Sequence, residues 1–300
     1  MYLHNGKELF EEVITEVNAQ TGIAQSIIEK DYYVTMILKL LTKSNPDIVF
    51  KGGTSLSKCF HLIDRFSEDI DITFSEHIGE SRRKKLKYNI LKPISDELEM
   101  PIENWDSIES DKNYNYYLFG YHPVSDYPIE GIMPGVKLET ALVSYSFPTE
   151  EKEVDSIIYN AIKDSAPDII SEYGLEPFSM RVQSVSRTFI DKIYALCDYY
   201  LEDKTKRFSR HLYDICKIYP TIIIDDSFKE LTAQVREHRS HLPICPSAKV
   251  GIDIKKTINE FLDKEFYKGD YDSITKALIS DDVSYEQTSL TLREIADRLF

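Results

Sequence analysis

Cysteine is scarce: Cys59, Cys197, Cys216 and Cys245 lie far apart in a chain of 300 residues, and no C-x-x-C pair occurs. A disulfide scaffold needs dense pairing and a zinc cluster needs close thiol ligands, so buried reduced thiols are the expectation. Long apolar runs are missing too. No stretch approaches the roughly 20 apolar residues of a membrane helix, and the N-terminus, MYLHNGKELFEE, lacks the apolar region of a signal peptide. The expectation is a cytoplasmic protein without a membrane partner. Positive charge is in short supply, with 36 Lys and Arg against 51 Asp and Glu and a net charge of −15. Phosphate contacts dominate nucleic-acid affinity, so bulk acidity argues against indiscriminate binding while leaving room for a local basic cleft or a basic protein partner.

Several catalytic signatures are also absent. There is no G-x-x-x-x-G-K-[ST] and no G-x-S-x-G. His4, His61, His77, His122, His238 and His241 show no H-x-E or H-E-x-x-H spacing, which argues against a zinc hydrolase. Trp105 is the lone tryptophan, and it and the tyrosine-rich stretch 114–121 read as core rather than as a base-stacking platform. No repeat or low-complexity segment appears. What remains is 42% apolar and 29% charged, an ordinary globular chain long enough for one large domain or two modest ones.

The informative stretch is Ile48 to Phe74, IVFKGGTSLSKCFHLIDRFSEDIDITF. An apolar run, Ile48-Val49-Phe50, leads into Gly52-Gly53, and the alternating residues 68–74 predict a half-buried strand. On such a strand Asp69 and Asp71 project from one face and Ile70 and Ile72 from the other. At ~3.3 Å of rise per residue the two carboxylates sit about 7 Å apart, close enough to converge on a hard cation such as Mg2+. The diglycine lets backbone N–H groups approach a phosphate, and a helix N-terminus behind it favours anions. Each piece alone is more often a solvated edge or a turn. Together, in this order, they make the minimum of a nucleotidyl-transfer site.

Around this stretch, helical spacing predicts helices over 7–19 and 24–43. Ser81 to Met100 reads as a helix interrupted at Pro93, with a basic first half (Arg82, Arg83, Lys84, Lys85, Lys87). Such a run is usually a solvated face; here it is alternatively a guide for an RNA or a triphosphate. Residues 113–124 and 135–147 read as strands, 148–155 as a loop, 154–163 as a helix, and the segment through Pro177 as a connection. After an extended segment at 178–185 the chain turns helical, with Ser186-Arg187-Thr188 as a cap and further helices at 209–219, 227–242, 253–266, 271–279 and 286–298.

The pattern K-G-G-T-S-L, eight residues, then R-x-S-E-D-I-D resembles the AbiEii/AbiGii-type nucleotidyltransferase toxins. Two further stretches extend the likeness to about 25–215: Glu29-Lys30-Asp31-Tyr32-Tyr33, which alone reads as a polar helix face, and FIDKIYALCDYYLEDKTKRFSRHLYDI. In the latter, Lys192 matches a helical lysine of the family, and Arg210, His211 and Asp214 match R-[DH]-x-x-D; many members carry Asp where this chain has His211. The resemblance implies an α+β fold of the polymerase-β type: a small mixed β-sheet nucleotidyltransferase core with flanking helices and a helical C-terminal half. Residues 1–175 would form the nucleotidyltransferase domain and 176–300 a helical domain completing the active site.

The same resemblance implies roles. Asp69 and Asp71 hold Mg2+. Glu139, in V-K-L-E on a neighbouring strand, is a metal ligand or general base. Gly52, Gly53, Thr54 and Ser55 hold the NTP phosphates, with Arg65 and Ser67 shaping the pocket, unless Ser67 is a nucleophile or modification site. Lys192 stabilises the triphosphate. Asp214 orients Lys192, binds a second metal or accepts a proton. The implied protein is a toxin of a toxin–antitoxin or phage-defence pair, moving a nucleoside monophosphate from an NTP to an acceptor hydroxyl at the tRNA 3′ end and neutralised by a cognate antitoxin. Two other readings stay open: an aminoglycoside-type small-molecule nucleotidyltransferase, and a non-catalytic nucleotide-binding interaction protein.

Overall fold

Ile48, Val49 and Phe50 form the first strand because β-branched and aromatic side chains suit a pleated surface covered on both faces, and all three are buried. The computed structural model describes residues 1–65, 67, 69–109, 112–126 and 134–300. It divides into two compact units, Met1–Cys59 with Ser67–Val182, and Phe60–Phe66 with Gln183–Phe300.

The first unit is built on a six-stranded mixed sheet in the order β3-β4-β2-β1-β6-β5. Its strands are β1 (Ile48–Lys51), β2 (Ile70–Phe74), β3 (Tyr114–Phe119), β4 (Val136–Ala141), β5 (Thr149–Val154) and β6 (Phe178–Gln183). β1 runs antiparallel to β2 and parallel to β6; β4 runs parallel to β2 and antiparallel to β3. One face carries Ile70, Ile72, Leu138, Tyr117 and Phe119, all buried. Burying each such side chain is worth roughly 1.5–3 kcal/mol. Helix α1 (Lys7–Thr21) packs on α2 (Gln25–Ser44), and α2 lies against β4. The α+β expectation with a small mixed sheet is met.

The predicted strand over 68–74 begins at Ile70, so Asp69 immediately precedes it; Glu68 lies outside the described residues. Between β1 and β2 the helix α3 covers only Gly52–Lys58. The basic helix is a run of α4 (Glu80–Lys85), a π-helical turn (Leu86–Leu91) and α5 (Lys92–Glu97), with Pro93 in the first turn of α5. A proline removes one backbone donor and crowds the carbonyl four residues back, and the wider π turn just before it accommodates both. The run's charges are partly engaged: Arg82 pairs with Glu76, Lys84 with Glu80, and Lys87 is buried against the carbonyls of Trp105 and Ile108.

Two local expectations are corrected. Residues 148–155 are not a loop but contain β5, whose polar composition is tolerated because the strand closes one end of the sheet. The helix expected over 154–163 is α6 (Ile157–Ile162), but the connection from there to Pro177 holds a further helix, α7 (Pro167–Tyr173). Pro167 opens α7, and Gly174 at φ +62° ends it, so residues read as breakers are its start and stop signals.

The second unit is helical: α8 (Val185–Leu201), α9 (Arg210–Ile218), α10 (Asp226–Ser240), α11 (Ile254–Asp263), the short α12 (Lys268–Asp270) and α13 (Lys276–Leu278), and α14 (Tyr285–Leu299). Ser184 caps α8 by accepting from the Arg187 N–H, two residues earlier than the expected cap. Ile190, Ile193, Leu196 and Cys197 form the buried stripe of α8. The segment Phe60–Phe66 belongs here because Ser280 donates to the Asp64 carbonyl, Lys217 pairs with Asp64, and Arg65 bridges to Ile279.

Candidate functional site

Strand register assembles the site of the first unit. Lys51 lies opposite Asp71, Asp71 is in register with Glu139, and Glu139 lies opposite Tyr116. Paired residues project to the same face. Lys51, Asp71, Glu139 and Tyr116 therefore form one row across four strands, on the sheet face away from Ile70, Ile72 and Leu138. Two residues along each strand, the same face carries Lys137 and Tyr114, with Asp69 just ahead of β2.

The electrostatics agree with the row. Lys137 Nζ contacts Glu139 Oε1. Burial lowers the pKa of that ammonium, but the bond to Glu139, its charge and the charge of Asp69 outweigh burial and raise it. Burial, with the neighbouring charges of Glu139 and Asp71, pushes the Tyr114 hydroxyl up to about 12. Lys137 thus feels Glu139 and Asp69, and Tyr114 feels Glu139 and Asp71.

Gly52 sits at φ +80°, and a Cβ built there would stand 2.1 Å from Asp71 Oδ2. The backbone after β1 is therefore pressed against the Asp71 carboxylate, which any side chain at this position would displace. Thr54 Oγ1 donates to the Asp69 carbonyl at 2.6 Å and lies 2.9 Å from Ser67 Oγ. Ser55 Oγ donates to the Gly52 carbonyl at 2.9 Å. Both hydroxyls, expected on phosphates, are buried and engaged: Thr54 braces α3 against the Asp69 turn and Ser55 caps back onto its own helix.

The set of donors suits a hard divalent cation. Mg2+ is usually held by one or two carboxylates and completed by substrate phosphates and water, and Asp71 and Glu139 in register offer two. Among the described residues no group of three or more His, Cys, Asp or Glu is arranged to hold a metal unaided.

In the second unit Asp214 is fully buried and accepts from Arg65 Nε at 2.6 Å, Arg65 Nη2 at 2.7 Å and Lys192 Nζ at 2.6 Å. Helical spacing suggests Arg210 as its partner, and Arg210 Nε instead donates to the Arg207 carbonyl at 3.2 Å. Burial alone would raise the Asp214 carboxyl; the two cations overcome it and hold the group well below the carboxylate range. Burial dominates for Lys192 and His211, lowering both. The neutral imidazole, 3.3 Å from Lys192 Nζ at Nδ1, accepts from the ammonium when its own proton is on Nε2. Arg65, expected to shape a phosphate pocket, is thus committed to a bidentate pair with Asp214.

In Glu29-Lys30-Asp31, read as a polar face, Glu29 and Lys30 are buried and Asp31 is half-buried in the first unit. Glu29 accepts from the backbone of Val124 and Ser125. Asp31 joins Lys58 of α3 at 2.5 Å and the Ile157 N–H at 2.8 Å. A run of three charges inside a helix otherwise rich in buried apolar residues is the signal for such bracing. Lys51 and Tyr116 also escaped the sequence reading, whereas alternation along V-K-L-E already puts Lys137 on the face of Glu139.

Residues 39–295 match the model of the family described as nucleotidyl transferase AbiEii toxin, type IV toxin–antitoxin system. The chain belongs to the AbiEii nucleotidyltransferase toxin family. Membership makes it a nucleotidyltransferase of a type IV toxin–antitoxin system, with an NTP as substrate and a cognate antitoxin as partner. Among solved structures it is similar to JHP933 from Helicobacter pylori, at 20% identity over 92% of each chain and a TM-score of 0.46. It is also similar to the nucleotidyltransferase toxin MenT4 from Mycobacterium tuberculosis, at 17% identity over 96% of this chain and 88% of that one, with a TM-score of 0.49. Comparison with curated proteins gives no match. None of the described helices of this AbiEii member is long and apolar enough to cross a membrane.

Replacing Gly52 by alanine is expected to cost about 1–2 kcal/mol from the left-handed backbone alone. It is also expected to move Asp71, so nucleotide transfer falls further than stability does. Urea unfolding beside a transfer assay checks this, and a Gly52→Ala protein with unchanged activity contradicts the close approach of Gly52 to Asp71.

Proposed function

We propose that this AbiEii protein is an Mg2+-dependent toxin of the cytoplasm. It transfers a nucleoside monophosphate from an NTP to an acceptor hydroxyl on RNA, the tRNA 3′ end being the favoured acceptor, and releases pyrophosphate. The observation that supports this best is the register of Asp71 with Glu139, with the Gly52 backbone against the Asp71 carboxylate. Together they bring hard oxygens and a closely approaching glycine backbone to one place.

In this reading Asp69 and Asp71 hold the metal, with Glu139 as the third carboxylate. Bound Mg2+ supplies charge neutralisation on the triphosphate and polarises the phosphorus under attack. Gly52 and Gly53 let the backbone approach the phosphates without a Cβ between. Thr54 and Ser67 keep Asp69 in place. Within the second unit, Lys192 is the candidate cation for a polyphosphate, oriented by its bond to Asp214. Orientation suits Asp214 better than proton transfer, because a carboxylate held so far below its ordinary range is a weak base. Defence against phage is the biological role in keeping with a toxin of this kind.

The test incubates the purified protein with each α-labelled NTP, Mg2+ and total RNA, in parallel with small-molecule hydroxyl acceptors. Label is expected in tRNA from one or two of the NTPs, and chelation with EDTA is expected to remove it. Label confined to the small molecules would transfer the assignment to that class of acceptor, and no label anywhere would remove the enzymatic reading.

A further inference from the structure

We propose that Tyr116, with Tyr114 beside it, forms a stacking wall for a nucleobase at the end of the carboxylate row. This rests on the nucleotidyl-transfer reading of that row and adds to it where the base of a nucleotide is held.

Alternation on β3 divides its aromatics. Tyr117 and Phe119 face the core and are buried, whereas Tyr114 and Tyr116 remain 51% and 41% exposed on the opposite face. An aromatic ring offers 150–250 Å² of burial, so two rings side by side on an open sheet face are not explained by packing. Tyr116 is also held in place: the Lys137 ammonium lies 5.7 Å from the centroid of its ring.

Position names the ligand. Tyr116 lies directly opposite Glu139, and Glu139 is in register with Asp71. Two strand spacings put Tyr116 about 10 Å from Asp71, roughly the length of a nucleoside monophosphate. A phosphate at Asp71 therefore leaves a base at the tyrosines. Residues 101–104 line the outer edge of β3, with Asn104 donating to the Tyr116 carbonyl and accepting from the Leu118 N–H, so a base reaches the two rings from the sheet face on which they are exposed. A π face accepts any base, and Lys137 adds positive charge beside it for a backbone phosphate. The base belongs either to the incoming NTP or to the single-stranded end of an RNA acceptor.

Tyr116→Ala, Tyr116→Phe and Tyr116→Trp separate these sources in equilibrium binding with Mg2+. One arm compares the four NTPs with inorganic tripolyphosphate, which carries the charge without a base. The other compares a short single-stranded RNA with the same oligonucleotide made abasic at its 3′ end. Tyr116→Ala is expected to weaken the NTP arm, the RNA arm or both on the order of tenfold while tripolyphosphate and abasic binding are unchanged. Phe and Trp are expected to restore binding, and the introduced Trp to be quenched by the base-bearing ligand. Wild-type affinity of Tyr116→Ala for every ligand overturns the proposal, and so does an equal loss for tripolyphosphate and the abasic RNA. If Asp71→Asn abolishes transfer while Tyr116→Ala binds normally, only the stacking wall is lost. If Asp71→Asn transfers at the wild-type rate, or the wild-type protein binds neither ligand, the reading beneath it is lost as well.

Discussion

Asp71→Asn lowers kcat/KM for nucleotide transfer by roughly a thousandfold or more, while the urea midpoint of the protein stays where it was. A catalytic metal contributes several kcal/mol to the transition state, and each 1.4 kcal/mol is a factor of ten. Asp71 is the centre of the row, flanked by Lys51 and Glu139 and pressed against Gly52. Asparagine keeps its shape against the glycine, so packing survives, yet it removes the negative charge that a divalent cation requires. Side-chain exposure is partial at this position, so no buried charge is left unpaired. Steady-state kinetics on the labelled acceptor, with chemical unfolding as the control, decide the matter. Activity within tenfold of wild type would remove Asp71 from the chemistry.

Asp214→Ala is expected to have its effect on stability, destabilising the helical unit by about 3–5 kcal/mol, the usual cost of removing one partner from a buried ion pair. The carboxylate accepts from both Arg65 and Lys192, and all three are buried. Without it, two cations face each other out of water. Urea unfolding measures the loss, and the combined replacement Arg65→Met, Lys192→Met, Asp214→Leu should recover much of it, because an apolar cluster of similar volume has no charge to desolvate. A loss below 1 kcal/mol in Asp214→Ala would mean that the cluster is hydrated.

The same carboxylate has a pH signature. Its folded value is depressed, so its stabilisation is fully present above the ordinary carboxyl value of 3.8 and is lost as pH falls from there toward the folded value. Between pH 5 and 3 the wild type should therefore lose stability more steeply than Asp214→Ala. Parallel slopes would contradict the pairing.

Much of the fold was legible locally. The D-x-D alternation, the apolar run before Gly52 and the helical stripes at 24–43 and 186–202 each follow from a short-range period, and the structure keeps them. The tyrosines at 114 and 116 were misjudged as core because composition does not say which face of an edge strand is covered; Tyr117 and Phe119, one residue out of phase, supply the core instead. β5 was missed because a polar strand at the end of a sheet has no apolar alternation to detect. Arg65 was assigned to phosphates since nothing within several residues competes for it, yet its partner is Asp214, 149 positions away.

What the sequence determined by itself was therefore the membership and the types of element, since glycine stereochemistry, hydrophobic period and motif order all act within a few residues. Only the tertiary structure decided that Lys51, Asp71, Glu139 and Tyr116 stand in one line, and that Asp214 has Arg65 and Lys192 for company. Strand register and buried pairing are choices among distant segments, settled by which arrangement covers the most apolar surface while leaving no buried charge alone.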